Sequence, residues 1–119
     1  MENNNIIWKK FRNSNYEVSN TGLVRSVKYR TPRPIKPILM KSNGYYYIST
    51  VIDNVYQKFR LHRMVMECFC GASDLTVDHI NGIKSDNRLE NLRYCTIWEN
   101  IHNPVTLAKL KNRRRKSRK

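Results

Sequence analysis

Between Val77 and Asn100 the chain reads VDHINGIKSDNRLENLRYCTIWEN, and four side chains in that stretch, Asp78, His79, Asn91 and Asn100, are of types that can do chemistry together. A carboxylate oxygen from Asp78 and an amide oxygen from Asn100 are hard donors suited to Mg²⁺ or Mn²⁺, and two protein ligands leave room for phosphate oxygens and water. His79, with an ordinary pKa of about 6.5, is the best base in the segment for taking a proton from an attacking water. Asn91 serves differently, because an amide with donors and an acceptor can pair with backbone groups across a loop and hold the His strand in place. Together they suggest hydrolysis of a phosphodiester assisted by one metal ion per active site. His102 follows Asn100 by two residues, roughly 200° around a helix, and is left out as a ligand.

For these residues to meet, the elements must run strand, loop, strand, helix. LTVDHI reads as a short strand, NGIKSDNRLE as a polar loop and NLRYCT as a second strand. Thr96-Ile97-Trp98-Glu99 matches a capping box, so a helix is predicted from Ile97 with Thr96 as N-cap, placing Asn100 on its first turn. Asn103-Pro104 should end that helix and begin another. Upstream, LHRMVMECF has Leu61, Met64, Val65, Cys68 and Phe69 at helical spacing, which predicts a short amphipathic helix covering a sheet. His62 and Arg63 flank its stripe, where a structural or phosphate-contacting role is expected rather than catalysis. YEVS, NTG and LVRSVKY read as a hairpin, and NGYYYISTVIDNVYQKFRL as a second one turning at Asp53-Asn54. In TPRPIKP the prolines favour an extended linker. The tyrosines at 45, 46, 47 and 56 are expected chiefly to pack the second sheet.

The 119 residues fit one compact domain, and 39% hydrophobic content allows a modest core. Twenty-three Lys+Arg against 9 Asp+Glu give a net charge of +14, which makes a polyanion, nucleic acid first, the natural partner. The final KLKNRRRKSRK holds eight basic residues and no acidic one, a tail suited to tracking phosphates. Candidates for DNA contact are Arg25, Lys28, Arg30, Lys41, Lys58, Arg60, Arg63 and Arg93, with Arg113, Arg114 and Arg115 in the tail. No apolar run approaches the ~20 residues of a membrane span and MENNNIIWKK lacks the apolar region of a secretory signal, so a soluble, cytoplasmic protein is expected. Cys68, Cys70 and Cys95 are an odd number with no C-x-x-C pair, which argues against both a disulfide framework and a four-ligand zinc site; reduced, mostly buried thiols are expected.

The spacing of Asp78-His79, Asn91 and Asn100 resembles the HNH nuclease motif of the ββα-metal fold, most closely in the homing endonucleases encoded in phage and bacterial introns or standing free among their genes. LHRMVMECF looks like the helix before that motif, VDHINGIKSDNRLENLRYCT like its first two blocks and IWEN like the third; WKKFRNSNYEVSNTGLVRSV is similar to a modular segment ahead of many such nucleases. The resemblance implies an α+β chain with N-terminal antiparallel β-hairpins (residues 1–60), a ββα-metal nuclease core (61–104) and a short C-terminal helix with a basic tail (105–119). It further implies His79 as general base, Asp78 and Asn100 as ligands of Mg²⁺ or Mn²⁺, and Asn91 as the structural middle residue. The partner implied is double-stranded DNA, cut to 5′-phosphate and 3′-hydroxyl ends by a monomer or weak dimer in a bacterial or phage-infected cell, with no membrane and no small-molecule cofactor. A DNA-binding regulator on the same scaffold that no longer cuts is the alternative.

Overall fold

The structure, a computed structural model, describes residues 5–96. The helix expected from Ile97, Asn100 upon it, His102, the Asn103-Pro104 break, and the basic tail with Arg113, Arg114 and Arg115 lie outside those residues. The described part is strand-rich with one α-helix: strands β1 (Trp8–Lys10), β2 (Tyr16–Ser19), β3 (Val24–Ser26), β4 (Arg33–Ile35), β5 (Ile38–Leu39), β6 (Tyr46–Ile52) and β7 (Val55–Arg60), helix α1 (Leu61–Cys70), then β8 (Thr76–His79) and β9 (Leu92–Cys95). They form three small sheets, ordered β1-β2-β3-β4, β5-β6-β7 and β8-β9, all antiparallel.

Local sequence accounts for most of these elements. The β2–β3 hairpin turns through Asn20–Gly22, where Gly22 has φ 87° and its N–H donates to Ser19 O at 3.1 Å. The β6–β7 ribbon pairs Ile52 with Val55 across Asp53-Asn54, whose φ values of 54° and 63° give the two-residue turn that matches strand twist. In β6 the alternation is direct: Ile48 and Thr50 are fully buried while Ser49 and Val51 face solvent. In α1, Leu61, Met64 and Val65 are buried as the helical spacing requires, and Gly71 ends the helix at φ 87° with its N–H on Glu67 O.

Three expectations are corrected. TPRPIKP is not a free linker, because Arg33–Ile35 pairs with β3 as the edge strand β4. An edge strand tolerates Pro34, since one side of it needs no donors. Trp8–Lys10 adds a strand, β1, that its three residues without alternation did not announce, whereas LVRSVKY keeps strand geometry only over Val24–Ser26. Of the cysteines, all free, Cys95 is buried, Cys68 is partly so and Cys70 is exposed at the open end of α1.

One core joins the sheets. Phe11 just after β1, Val18 and Val24 from the first sheet, Ile48 from the second, and Val77 and Leu92 from the third meet Leu61, Met64, Val65 and Met66 of α1. Met64, 1% exposed, is central to that contact. Met64→Ala is therefore expected to destabilise the chain by about 2–5 kcal/mol, read as a fall in the urea midpoint. A cost below about 1 kcal/mol would mean that α1 is not what holds the sheets.

Candidate active site

β8 and β9 pair so that Asp78 lies opposite Arg93 and His79 opposite Leu92. Consecutive strand residues point to opposite faces, so the Asp-His pair divides its two side chains between them. Asp78, 5% exposed, accepts a hydrogen bond from Arg93 Nε at 3.1 Å. His79, 6% exposed, turns toward the junction with α1 and the second sheet.

There it meets two aromatic neighbours that the sequence did not single out for the site. Tyr45 stacks on the His79 ring, centroids 6.1 Å apart and planes 24° apart, and His62 of α1 lies 5.2 Å from it. Tyr45 also meets His62 edge to face at 5.0 Å. His62 is only 4% exposed, so it is a buried member of this cluster and not a phosphate contact, and its Nδ1 is buried without a hydrogen-bond partner. Burial, with the neighbouring His79, drives the His62 pKa down from 6.5 to about 3. Burial also lowers the pKa of His79, opposed by its hydrogen bond to Asn87 and by the nearby Asp78. Both rings are therefore neutral at neutral pH.

Asn87 is the second omission. Its Oδ1 lies 2.8 Å from His79 Nε2, and the residue is 6% exposed. The signal was present, a third Asn in a polar loop, but nothing in the spacing tells which of Asn81, Asn87 and Asn91 reaches the histidine.

Asn91 closes the loop. Its Oδ1 accepts from Asn81 N at 3.0 Å, and its Nδ2 donates to Asn81 Oδ1 and to Asp86 O, each at 2.9 Å. Ile80 N donates to Asn91 O at 2.8 Å, tying the end of β8 to the 3₁₀ turn Leu89–Asn91. Asp86 is gripped by Arg88 through both carboxylate oxygens at 2.8 Å, which holds its pKa well below the usual carboxylate range.

The cations divide into three groups. Arg25 is paired with Glu17 at 2.7 Å and stacks on Trp8, Arg63 donates to the carbonyls of Ser73 and Leu75, and Arg93 holds Asp78. Lys58 lies over Tyr47, and both Arg60 and Lys84 lie over Tyr45, so positive charge collects on the ring that stacks against His79. Lys28 and Arg30 are exposed beyond β3, and Lys41 is exposed before β6.

Among the described residues no three His, Cys, Asp or Glu side chains converge as metal ligands. One buried carboxylate is nonetheless a fitting start for an Mg²⁺-type site, which takes few protein oxygens and completes its shell with phosphate and water.

Two outcomes are expected. Asn91→Ala should lower stability by about 1–3 kcal/mol in chemical denaturation, because loop groups lose their partners inside the protein; unchanged stability would show the loop to be held by something else. For His62, whose folded pKa lies below its unfolded one, the unfolded chain takes up the proton first as pH falls, so stability should drop from about pH 6.5 toward about pH 3. His62→Phe should flatten that slope; an equal loss of Tm between about pH 7 and about pH 5 in both proteins would remove His62 as its source.

A family model described as HNH endonuclease matches residues 59–102, from the end of β7 past β9. The chain is 32% identical over 122 residues to DNA endonuclease I-HmuI of Bacillus phage SP01, covering 90% of this chain and 68% of that protein. It is 35% identical over 109 residues to the uncharacterized HNH endonuclease L247 of Acanthamoeba polyphaga mimivirus, covering 83% of this chain and 26% of the relative. The solved structure of the HNH homing endonuclease I-HmuI, which concerns DNA binding and cleavage by that enzyme, superposes with a TM-score of 0.74 at 32% identity over 86% of this chain and 59% of the other. The likeness thus runs through the small sheets as well as the Asp-His strand, and the chain belongs to the HNH endonuclease family.

Proposed function

We propose that the chain is a divalent-metal-dependent DNA endonuclease of the homing type, which hydrolyses phosphodiester bonds to leave 5′-phosphate and 3′-hydroxyl ends. The observation that carries this reading is the Asp78-His79 pair at the end of β8, inside the stretch matched to HNH endonucleases.

His79 is the general base. Burial keeps its imidazole neutral near pH 7, and a neutral ring can take a proton from water as that water attacks phosphorus. Tyr45, His62 and Asn87 restrict the ring, so no ordering is left to the reaction itself. Asp78 and Asn100 are the ligands of one Mg²⁺ or Mn²⁺, with Arg93 orienting the carboxylate. When bound, such an ion supplies charge neutralisation at the scissile phosphate and the departing 3′-oxygen. Asn91 is structural, holding the loop between β8 and β9.

DNA lies across the aromatic and basic surface of Tyr45, Tyr47, Lys58, Arg60 and Lys84, with Lys28, Arg30, Lys41 and the tail arginines 113 to 115 on flanking phosphates. Arg25, Arg63 and Arg93 are engaged within the protein, so they contribute field more than direct contact. In this arrangement residues 1–60 grip DNA, 61–104 carry the chemistry and 105–119 add a basic arm. One active site per chain makes a monomer that nicks one strand per event, in the cytoplasm of a bacterial or phage-infected cell.

The test is a plasmid-nicking assay beside a metal titration. His79→Ala is expected to lose roughly 10²–10⁴-fold in cleavage rate while keeping metal and DNA affinity. Asp78→Ala should lose metal affinity together with cleavage and regain part of it at high Mn²⁺. If His79→Ala loses metal as Asp78→Ala does, the histidine is a ligand; if the unaltered chain binds DNA but never nicks it, the chain is a regulator on a nuclease scaffold.

A further inference from the structure

Asn87 has no place in the reading of the motif, yet its side chain hydrogen-bonds to the imidazole. An amide is polar at both ends, and here both ends are used: Nδ2 donates to Lys84 O at 3.3 Å while Oδ1 faces His79 Nε2 at 2.8 Å. An amide oxygen can only accept, so Nε2 must carry the hydrogen. A neutral imidazole has one N–H, which leaves the lone pair on Nδ1.

The loop that presents Asn87 is itself pressed from behind. Gly22, in the β2–β3 turn, has φ 87°, and a Cβ there would lie 2.9 Å from Asn87 O and 3.0 Å from Asn87 C, too close for any side chain. Two residues on, Leu89 N donates to Asn20 O of the same turn at 2.9 Å. Asn20 is secured in turn, since its Oδ1 accepts from Ile7 N at 2.9 Å. A contiguous chain of contacts thus runs from the first sheet through Asn87 to His79.

We propose that Asn87 is a positioning residue for His79, holding the imidazole with Nε2 protonated and Nδ1 free to accept, and that the β2–β3 turn at Gly22 sets where Asn87 stands. The proposal rests on the reading of His79 as the base. It assigns the N-terminal sheet a part in the rate of the reaction in addition to any grip on DNA.

The experiment combines ¹⁵N NMR of the histidine rings in the full-length chain with single-turnover cleavage at saturating DNA and a separate measurement of DNA affinity. In the unaltered chain the neutral His79 ring is expected to show its hydrogen on Nε2. Asn87→Leu, which keeps bulk but offers no acceptor, should lower the single-turnover rate roughly 100-fold with DNA affinity unchanged, and the His79 tautomer signal should become mixed. Asn87→Asp, which restores an acceptor, should recover most of that rate. Gly22→Ala should lower the rate in the same way as Asn87→Leu, though less, again without loss of DNA affinity. The proposal is overturned if the His79 hydrogen sits on Nδ1 in the unaltered chain, if Asn87→Leu cleaves within about twofold of it, or if Asn87→Asp is no better than Asn87→Leu. Should Asn87→Leu fail to fold, the NMR result and Gly22→Ala still decide. A chain that folds, shows the Nε2 hydrogen and cuts no DNA would sink the endonuclease reading and leave the contact between Asn87 and His79 standing.

Discussion

Burial of one helix is the interaction on which the rest of the structure depends. The three sheets are separate hydrogen-bonded units of four, three and two strands, and their buried apolar residues meet in one shared cluster. What they share is α1, which packs against β1, β2, β6, β7, β8 and β9 and against the 3₁₀ turn. Ten residues therefore supply the common surface for an entire set of small ribbons. With few apolar residues available, the helix also uses its polar rim: Arg63 fixes the following loop through two carbonyls, and Glu67 pairs with Arg12, whose guanidinium lies over Phe11 and Phe59.

A second constraint follows from the first. Because α1 holds the Asp-His strand from within, His79 has to turn into the protein, where water is scarce and charge is costly. Among the described residues, the neighbours answer that cost with rings and an amide: Tyr45, His62 and Asn87 surround the imidazole, while Asp78 pairs with Arg93. Arg60 and Lys84 reach the outer environment over the same Tyr45 ring, so a single aromatic side chain separates a neutral interior from a cationic exterior.

Much of this could be read from residue order. The period change at Leu61, the Asp53-Asn54 turn and the strand-loop-strand pattern around Asp78 and His79 each follow from local chemistry that neighbouring residues fully determine. What escaped was set by contacts between distant segments. Pro34 argued locally against a strand, but β4 lies at the edge of its sheet and needs donors on one side only, so the missing N–H costs no ladder bond. His62 looked like a polar neighbour of the apolar stripe because helical spacing says which face a residue occupies, not which residue of another element it will meet. Asn81, Asn87 and Asn91 are chemically identical and lie within eleven positions of one another; which becomes loop staple and which reaches the imidazole depends on how the loop folds back on β8 and on a turn some sixty-five residues earlier.

The passage from β7 to α1 has an implication for how such chains are rearranged during evolution. Strand β7 ends at Arg60 and the helix begins at Leu61, with no intervening residue. An inserted or deleted residue at that joint would rotate the helix by about 100° relative to the ribbon and carry Met64 and Val65 out of the core. Recombination that trades one N-terminal segment for another is thus confined to break points on either side of the ribbon–helix unit, which must be inherited whole. The exposed Asp53-Asn54 turn at the far end of the same ribbon carries no such restriction, and it is where this architecture can gain length and new contacts without disturbing the chemistry below.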